Sequence, residues 1–274
     1  MTTTMQYRKL KTAMLMALTA VTILTTSCEK DDDDDYTNPP PALPASTILR
    51  ASGDSLGIVA TVNLFRGVLG DVLNTTPNQT SGRREVNWDG VPSTLTNNNL
   101  FPLDFFNLTD PAGANGRKRG LVYVNTGSPL RLDSSNFTEL SATHADEFIP
   151  FTKKKTIVSA NSTVSEIIFK VPGTDTSASV KGFGIIFSDV DDAASTSLEF
   201  FNGTKSLGVY KPLARTVAGG FSFLGVHFTV EKITKIKITA GSGVFAAGVK
   251  DISDGGNKDL VVYDDFLYSE PQKL

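Results

Sequence analysis

Beyond residue 50 the sequence predicts an all-β fold, an antiparallel β-sandwich or jelly roll. Three observations carry that expectation. Short apolar segments alternate inward and outward residues, Gly, Asn and Asp separate them, and helical periodicity over more than three turns is confined to the N-terminal leader. Ile58 to Leu73 fits either a strand or a short helix. Leu121 to Asn125 and Val164 to Val171 read as strands. Ala178 to Phe187 is a strand with Phe183, Ile185 and Phe187 on one face. Ser197 to Tyr210 reads as a hairpin turning at Asn202-Gly203, because both residues tolerate positive φ. Phe221 to Phe228 is another strand, and Ile233 to Ile238 sets Ile236 and Ile238 against Lys235 and Lys237. Leu260 to Tyr268 is the last. Many short strands with turn signals between them favour a sandwich.

The N-terminus is built differently. Arg8, Lys9 and Lys11 precede an apolar run from Ala13 to Leu24, and Thr25-Thr26-Ser27 lead to Cys28, the only cysteine. A charged start, a short apolar segment and small residues describe a secretory signal peptide. The run falls short of the roughly 20 apolar residues a membrane span needs. A lone cysteine directly after the cut resembles the lipobox of bacterial lipoproteins, although Thr25 stands where that pattern carries Leu. The resemblance implies that Cys28 is acylated and becomes the first mature residue. Glu29 to Asp35 then hold six acids and one lysine, a self-repelling block that stays solvated. An acidic stretch beside a lipidated cysteine is similar to the surface-export signal of Bacteroidota lipoproteins. Pro39, Pro40, Pro41 and Pro44 make the next stretch extended and semi-rigid. The expected organisation is therefore a signal peptide over 1–27, a lipidated and disordered stalk over 28–46, and one domain over 47–274. The expected location is the bacterial outer membrane, anchored by lipid and facing the exterior.

Without residues 1–27, 23 basic residues face 29 acidic ones. No basic surplus exists to neutralise phosphates, which argues against nucleic acid as a partner.

Several segments together resemble a family of secreted, uncharacterised bacterial β-sandwich domains. They are Gly82-Arg-Arg-Glu-Val-Asn-Trp-Asp-Gly90, Phe101-Pro-Leu-Asp-Phe-Phe-Asn107, Gly182-Phe-Gly-Ile-Ile-Phe-Ser-Asp-Val-Asp191, Phe221-Ser-Phe-Leu-Gly-Val-His-Phe228 and Asp259-Leu-Val-Val-Tyr-Asp-Asp-Phe266. That resemblance implies fold and secretion, not an activity. Val261 to Leu267 also resembles the final strand of jelly-roll carbohydrate-binding modules and adhesion domains. Those often carry paired aspartates there, one near a structural calcium.

Candidate sites follow. Asp189, Asp191 and Asp192 end a strand, and Asp264 and Asp265 lie inside another. Alternating aspartates at a loop mouth can supply the oxygens that calcium requires, and an aspartate within an apolar strand needs a partner or a metal. A solvated turn and an ion pair are the plainer alternatives. Asn87, Trp88 and Asp89 set the only Trp beside hydrogen-bonding groups, the composition of a sugar site; a buried Trp capping the sandwich is the alternative. Arg83-Arg84-Glu85, Lys153-Lys154-Lys155 and Arg117-Lys118-Arg119 read as solvated edges or loops. His227 reads as half-buried packing, and His144 near Asp146 and Glu147 as a weak metal corner. No nucleophile elbow, His-Glu-x-x-His or phosphate loop is present.

The leading expectation is a non-catalytic surface binding domain for glycan or polysaccharide with a structural calcium. A structural or adhesive protein that contacts other surface proteins is second, and a glycan-acting hydrolase third.

Overall fold

The computed structural model describes residues 42–274. The signal segment, Cys28 and the acidic run lie outside the described residues. Among the described residues no helix is long and apolar enough to cross a membrane.

Among the described residues, fifteen strands and one α-helix follow in the order β1 (Ser46–Gly53), α1 (Ser55–Leu69), β2 (Arg83–Val86), β3 (Asn98–Phe101), β4 (Leu121–Tyr123), β5 (Leu130–Asp133), β6 (Thr156–Ser159), β7 (Val164–Lys170), β8 (Ser177–Ser179), β9 (Gly182–Ser188), β10 (Ser197–Asn202), β11 (Lys205–Tyr210), β12 (Phe221–Phe228), β13 (Lys235–Thr239), β14 (Val262–Ser269) and β15 (Gln272–Lys273). They form two antiparallel sheets, so the predicted all-β sandwich is what the chain adopts. The first sheet runs β1-β12-β9-β14-β6-β5-β3, with β2 also paired to β14. The second runs β11-β10-β13-β7-β8-β15, with β4 also paired to β7. Strand β1 begins at Ser46, inside the expected stalk, and the Ala45 carbonyl already accepts from Thr229 N at 3.2 Å.

The alternation read from the sequence explains the core. Phe183, Ile185 and Phe187 of β9 and Leu224, Val226 and Phe228 of β12 point into the space between the sheets. Ile167, Phe169, Leu198, Phe200, Ile236 and Ile238 meet them from the other side. The hairpin β10–β11 forms, but Asn202 pairs with Lys205, so the loop residues are Gly203 and Thr204, with Gly203 at φ 60°.

The ambiguous segment after residue 55 is helical. Asp54 caps it by accepting from Gly57 N at 2.7 Å, and Gly70 follows its end. Ile58, Val62, Phe65 and Leu69 recur at helical spacing and bury against Ile186, Phe221, Phe223 and Leu267 on the outer face of the first sheet. Full burial contributes about 2 kcal/mol per side chain. Phe65 enters a notch made by Gly184 and Gly225, which face each other across β9 and β12.

The basic runs are not simply solvated, contrary to expectation. Arg84 is fully buried and pairs with Glu270 at 2.7 Å. Lys118 is buried and donates to the Pro111 carbonyl at 2.8 Å, and Lys155 is buried beside the Val91 carbonyl. One cation of each run thus ties loops to the sandwich. His227 is half-buried in β12, as expected.

Candidate metal centre

Strand β9 lies between β12 and β14, so its C-terminal end is fixed on both sides. Asp189 follows directly, with φ 66°, in the left-handed region that side chains other than Asn and Asp rarely occupy. The loop beyond it is shaped by Asp259, just before β14. The Asp259 carboxylate accepts from Asp191 N at 3.0 Å, Asp192 N at 3.2 Å and the Ser195 hydroxyl. That arrangement turns the Asp191 side chain back toward Asp189. The third acid comes from the long β13–β14 loop. Asp251 accepts from Leu260 N at 2.7 Å, Ser253 N at 2.7 Å and the Ser253 hydroxyl at 2.8 Å. One carboxylate oxygen from each of Asp189, Asp191 and Asp251 lies within 4.8 Å of the others.

Asp189 and Asp251 are 0 % exposed. The compensating cation is Arg215, from the β11–β12 loop, which donates through Nε to Asp191 Oδ1 at 2.6 Å and lies 2.8 Å from Asp189 Oδ1. A fourth acid, Glu147, joins through Ser253, whose hydroxyl oxygen is also 2.8 Å from Glu147 Oε1, so its one proton serves either carboxylate. Neither Asp189 oxygen receives a hydrogen bond, nor do Asp191 Oδ2 and Glu147 Oε2. Three carboxylates therefore crowd one guanidinium, with Glu147 beyond them and several oxygens unpartnered.

Buried carboxylates in this state must keep protons or hold a cation. Burial pushes Asp189 up to about 8, against the pull of Arg215 and with the further push of Asp251, Asp191 and Glu147. Burial raises Asp251 to about 6, with Asp191 adding to the shift. Glu147 rises to about 7, chiefly from burial, with Asp254 and Asp251 opposing its charge. The donor set is all oxygen. Carboxylate oxygens gathered from a strand end and a distant loop suit a hard cation such as calcium, which takes oxygens at about 2.4 Å, with carbonyls and water completing its six to eight ligands. Arg215 occupies one oxygen of Asp191 and stands beside one of Asp189, leaving Oδ2 of each available.

Of the five aspartates expected to share a metal, Asp189 and Asp191 come together and three do not. Asp192 is exposed, and its Oδ1 caps the turn by accepting from Ala194 N at 2.8 Å. Asp264 and Asp265 sit at a register shift in β14, between the stretch paired to β6 and the stretch paired to β2. Asp264 Oδ2 accepts from Thr152 N at 3.0 Å, and the Thr152 hydroxyl donates to Asp265 Oδ1 at 2.6 Å. Burial and its neighbour hold Asp264 well above the usual carboxylate range, and burial raises Asp265 to about 6. The pair is a buried, proton-retaining bulge. Asp251, Asp259 and Arg215 carry no site expectation from the sequence, and Glu147 is expected only as a neighbour of His144. Asp251 and Asp259 share the β13–β14 loop, while Arg215 and Glu147 come from two others; the one local signal is Asp251-x-Ser253, an Asx-turn pattern.

The expected sugar site changes character. Trp88 is 1 % exposed, with Nε1 donating to the Asp264 carbonyl at 2.8 Å. Phe101, Phe106 and Phe266 meet its ring edge-to-face at 5.2 to 5.9 Å. A ring so enclosed offers no face for a sugar to stack on, so Trp88 is a core anchor. Asn87 is exposed and Asp89 half-buried. Asn87 and Trp88 border a groove of about 380 Å³ with Pro92, Phe106, Arg117 and Arg119; Asp89 does not. Trp88→Phe is expected to lower stability by about 1–3 kcal/mol, because the Asp264 carbonyl loses its donor in a site water does not reach. Denaturant unfolding checks this, and an unchanged midpoint would refute the anchoring role.

In comparisons with known proteins, no family model, no curated protein and no solved structure matches this chain.

Proposed function

We propose that this chain is a lipid-anchored surface protein whose sandwich is a non-catalytic binding domain for glycan or polysaccharide, braced by a structural calcium ion. The observation that carries the calcium reading is the buried Asp189–Asp191–Asp251 cluster with its unpartnered oxygens. An ion there would tie the end of β9 to the β13–β14 loop. The groove beside Asn87 supports the glycan reading: its wall combines the apolar Pro92 and Phe106 with the donors of Arg117 and Arg119, which suits an acidic sugar. Export and the outer-membrane location rest on the Cys28 segment and its acidic run.

The test has two arms on the full chain. Calcium is expected to raise the melting temperature and chelator to reverse it; identical melting in both conditions would remove calcium from the reading. A screen against neutral and acidic polysaccharides is expected to return an acidic class, with Arg117→Ala reducing the signal. No binding by the folded protein would overturn the glycan reading.

A second reading, contact with other surface proteins, is favoured by one feature. Leu56, Leu64 and Val68 lie four to eight residues apart on the outward face of α1, with Val72 and Leu73 beyond, and all five are exposed. Exposed apolar side chains gathered at one element in this way mark contact surfaces.

A further inference from the structure

The loop that supplies Asp251 also supplies Asp254, three residues on and aimed at a different group. His144 sits in a short helical turn, Ala142–Asp146, and its residue is 0 % exposed. Phe148 and Phe245 meet the ring edge-to-face at 5.0 and 5.9 Å, so it is walled by apolar groups on two sides. The Phe137 backbone lies near the ring, but neither Nδ1 nor Nε2 makes a well-formed hydrogen bond. A buried imidazole without partners is costly unless something outside the chain's own hydrogen bonds satisfies it. Glu147 Oε2 and Asp254 Oδ2 are also buried and unpartnered. A donor atom from each of His144, Glu147 and Asp254 lies within 4.8 Å of the other two.

We propose that His144, Glu147 and Asp254 form a second cation position, distinct in chemistry from the all-oxygen cluster and suited to a transition-metal divalent ion of the zinc type. Imidazole is a poor ligand for calcium and a good one for zinc. Three protein donors at about 2.0–2.2 Å would leave a fourth position for water or an incoming oxygen. Asp146, the acid next to His144 in sequence, is exposed and outside the triad. Ser253 stands between the two positions, its hydroxyl oxygen 2.8 Å from both Asp251 Oδ2 and Glu147 Oε1 and its single proton available to one of them at a time. The inference does not depend on calcium at the first position.

The test is calorimetric titration of zinc into the full chain with calcium in excess, repeated with cobalt while visible absorption is followed. One equivalent of zinc is expected to bind, with cobalt giving the d–d bands of a low-coordinate site that includes nitrogen. His144→Gln and Asp254→Asn are each expected to weaken binding about tenfold or more, and Asp146→Asn, at the exposed acid beside His144, to leave it unchanged. Asp254 is only half-buried, so its variant remains informative if the His144 variant misfolds. Absence of zinc binding, binding indifferent to Asp254→Asn, or zinc displaced stoichiometrically by calcium would each overturn the proposal.

Discussion

Asp189→Asn is expected to make the protein more stable in chelator at pH 8 and to abolish its response to calcium. The sign follows from proton linkage. Asp189 and Asp251 titrate near 3.8 in an unfolded chain, and burial raises them to about 8 and about 6 in the folded one. Glu147, near 4.5 unfolded, rises to about 7. Between those values the native state holds protons that the unfolded state has lost. Stability is then fully present below about pH 4 for these groups and falls as pH rises through 6 to 8. The slope is at most about 1.4 kcal/mol per pH unit for each retained proton. A bound divalent ion reverses the preference, because it requires the charged carboxylates. Melting curves from pH 4 to 9 should therefore slope downward in chelator and flatten in calcium. Asn at 189 keeps the shape, tolerates the φ of 66° and never ionises, so it removes part of the slope together with a metal donor. Asp189→Ala would confuse the two effects by adding backbone strain. A wild-type curve with the same slope in chelator and calcium would sink the account, as would an Asp189→Asn protein that calcium still stabilises.

What the sequence made legible was local. Phe183, Ile185 and Phe187 announce their shared face because strand geometry imposes a period of two, and Ile236 and Ile238 do the same. Asp189 and Asp191 announce a candidate site because they end such a strand. The rest depends on partners distant in the chain. Asp251 and Arg215 reach the cluster from two other loops, and apart from the Asx-turn pattern at Asp251 nothing in their neighbours marks them. Asp264 and Asp265 looked like ligands because charge inside an apolar strand demands compensation; Thr152 and a retained proton supply it. Trp88 looked like a platform because composition reports the ring and its polar neighbours, not the phenylalanines that enclose it. Helix α1 was ambiguous because Gly57, Asn63 and Gly67 weaken helix propensity. Its stability comes from a seat on β9 and β12, which lie more than a hundred residues away.

That seat carries the second large effect. Gly225→Val is expected to destabilise the fold by about 3 kcal/mol, and Phe65→Ala by about 3–5 kcal/mol. A Cβ at 225 would stand 2.7 to 2.8 Å from three atoms of the Phe65 ring, and one at 184 would stand 2.7 Å from Phe65 Cε1. The ring is 0 % exposed and cannot swing aside without lifting the helix. The double variant distinguishes this steric account from a general intolerance of β12 to substitution. With the ring gone, valine at 225 fills part of the space Phe65 leaves, so the pair should cost clearly less than the sum of the single changes. Additive losses would mean that the notch is not what holds α1. Protease cutting within residues 55–69 should rise in Gly225→Val before global unfolding, since a lifted helix exposes Ile186, Phe223 and Leu267. Calcium stabilisation should survive in the same protein. Asp189 is reached through Phe187 and Ser188, which stay paired to β12 and β14 at the far end of β9, so lifting the helix leaves the acid cluster assembled.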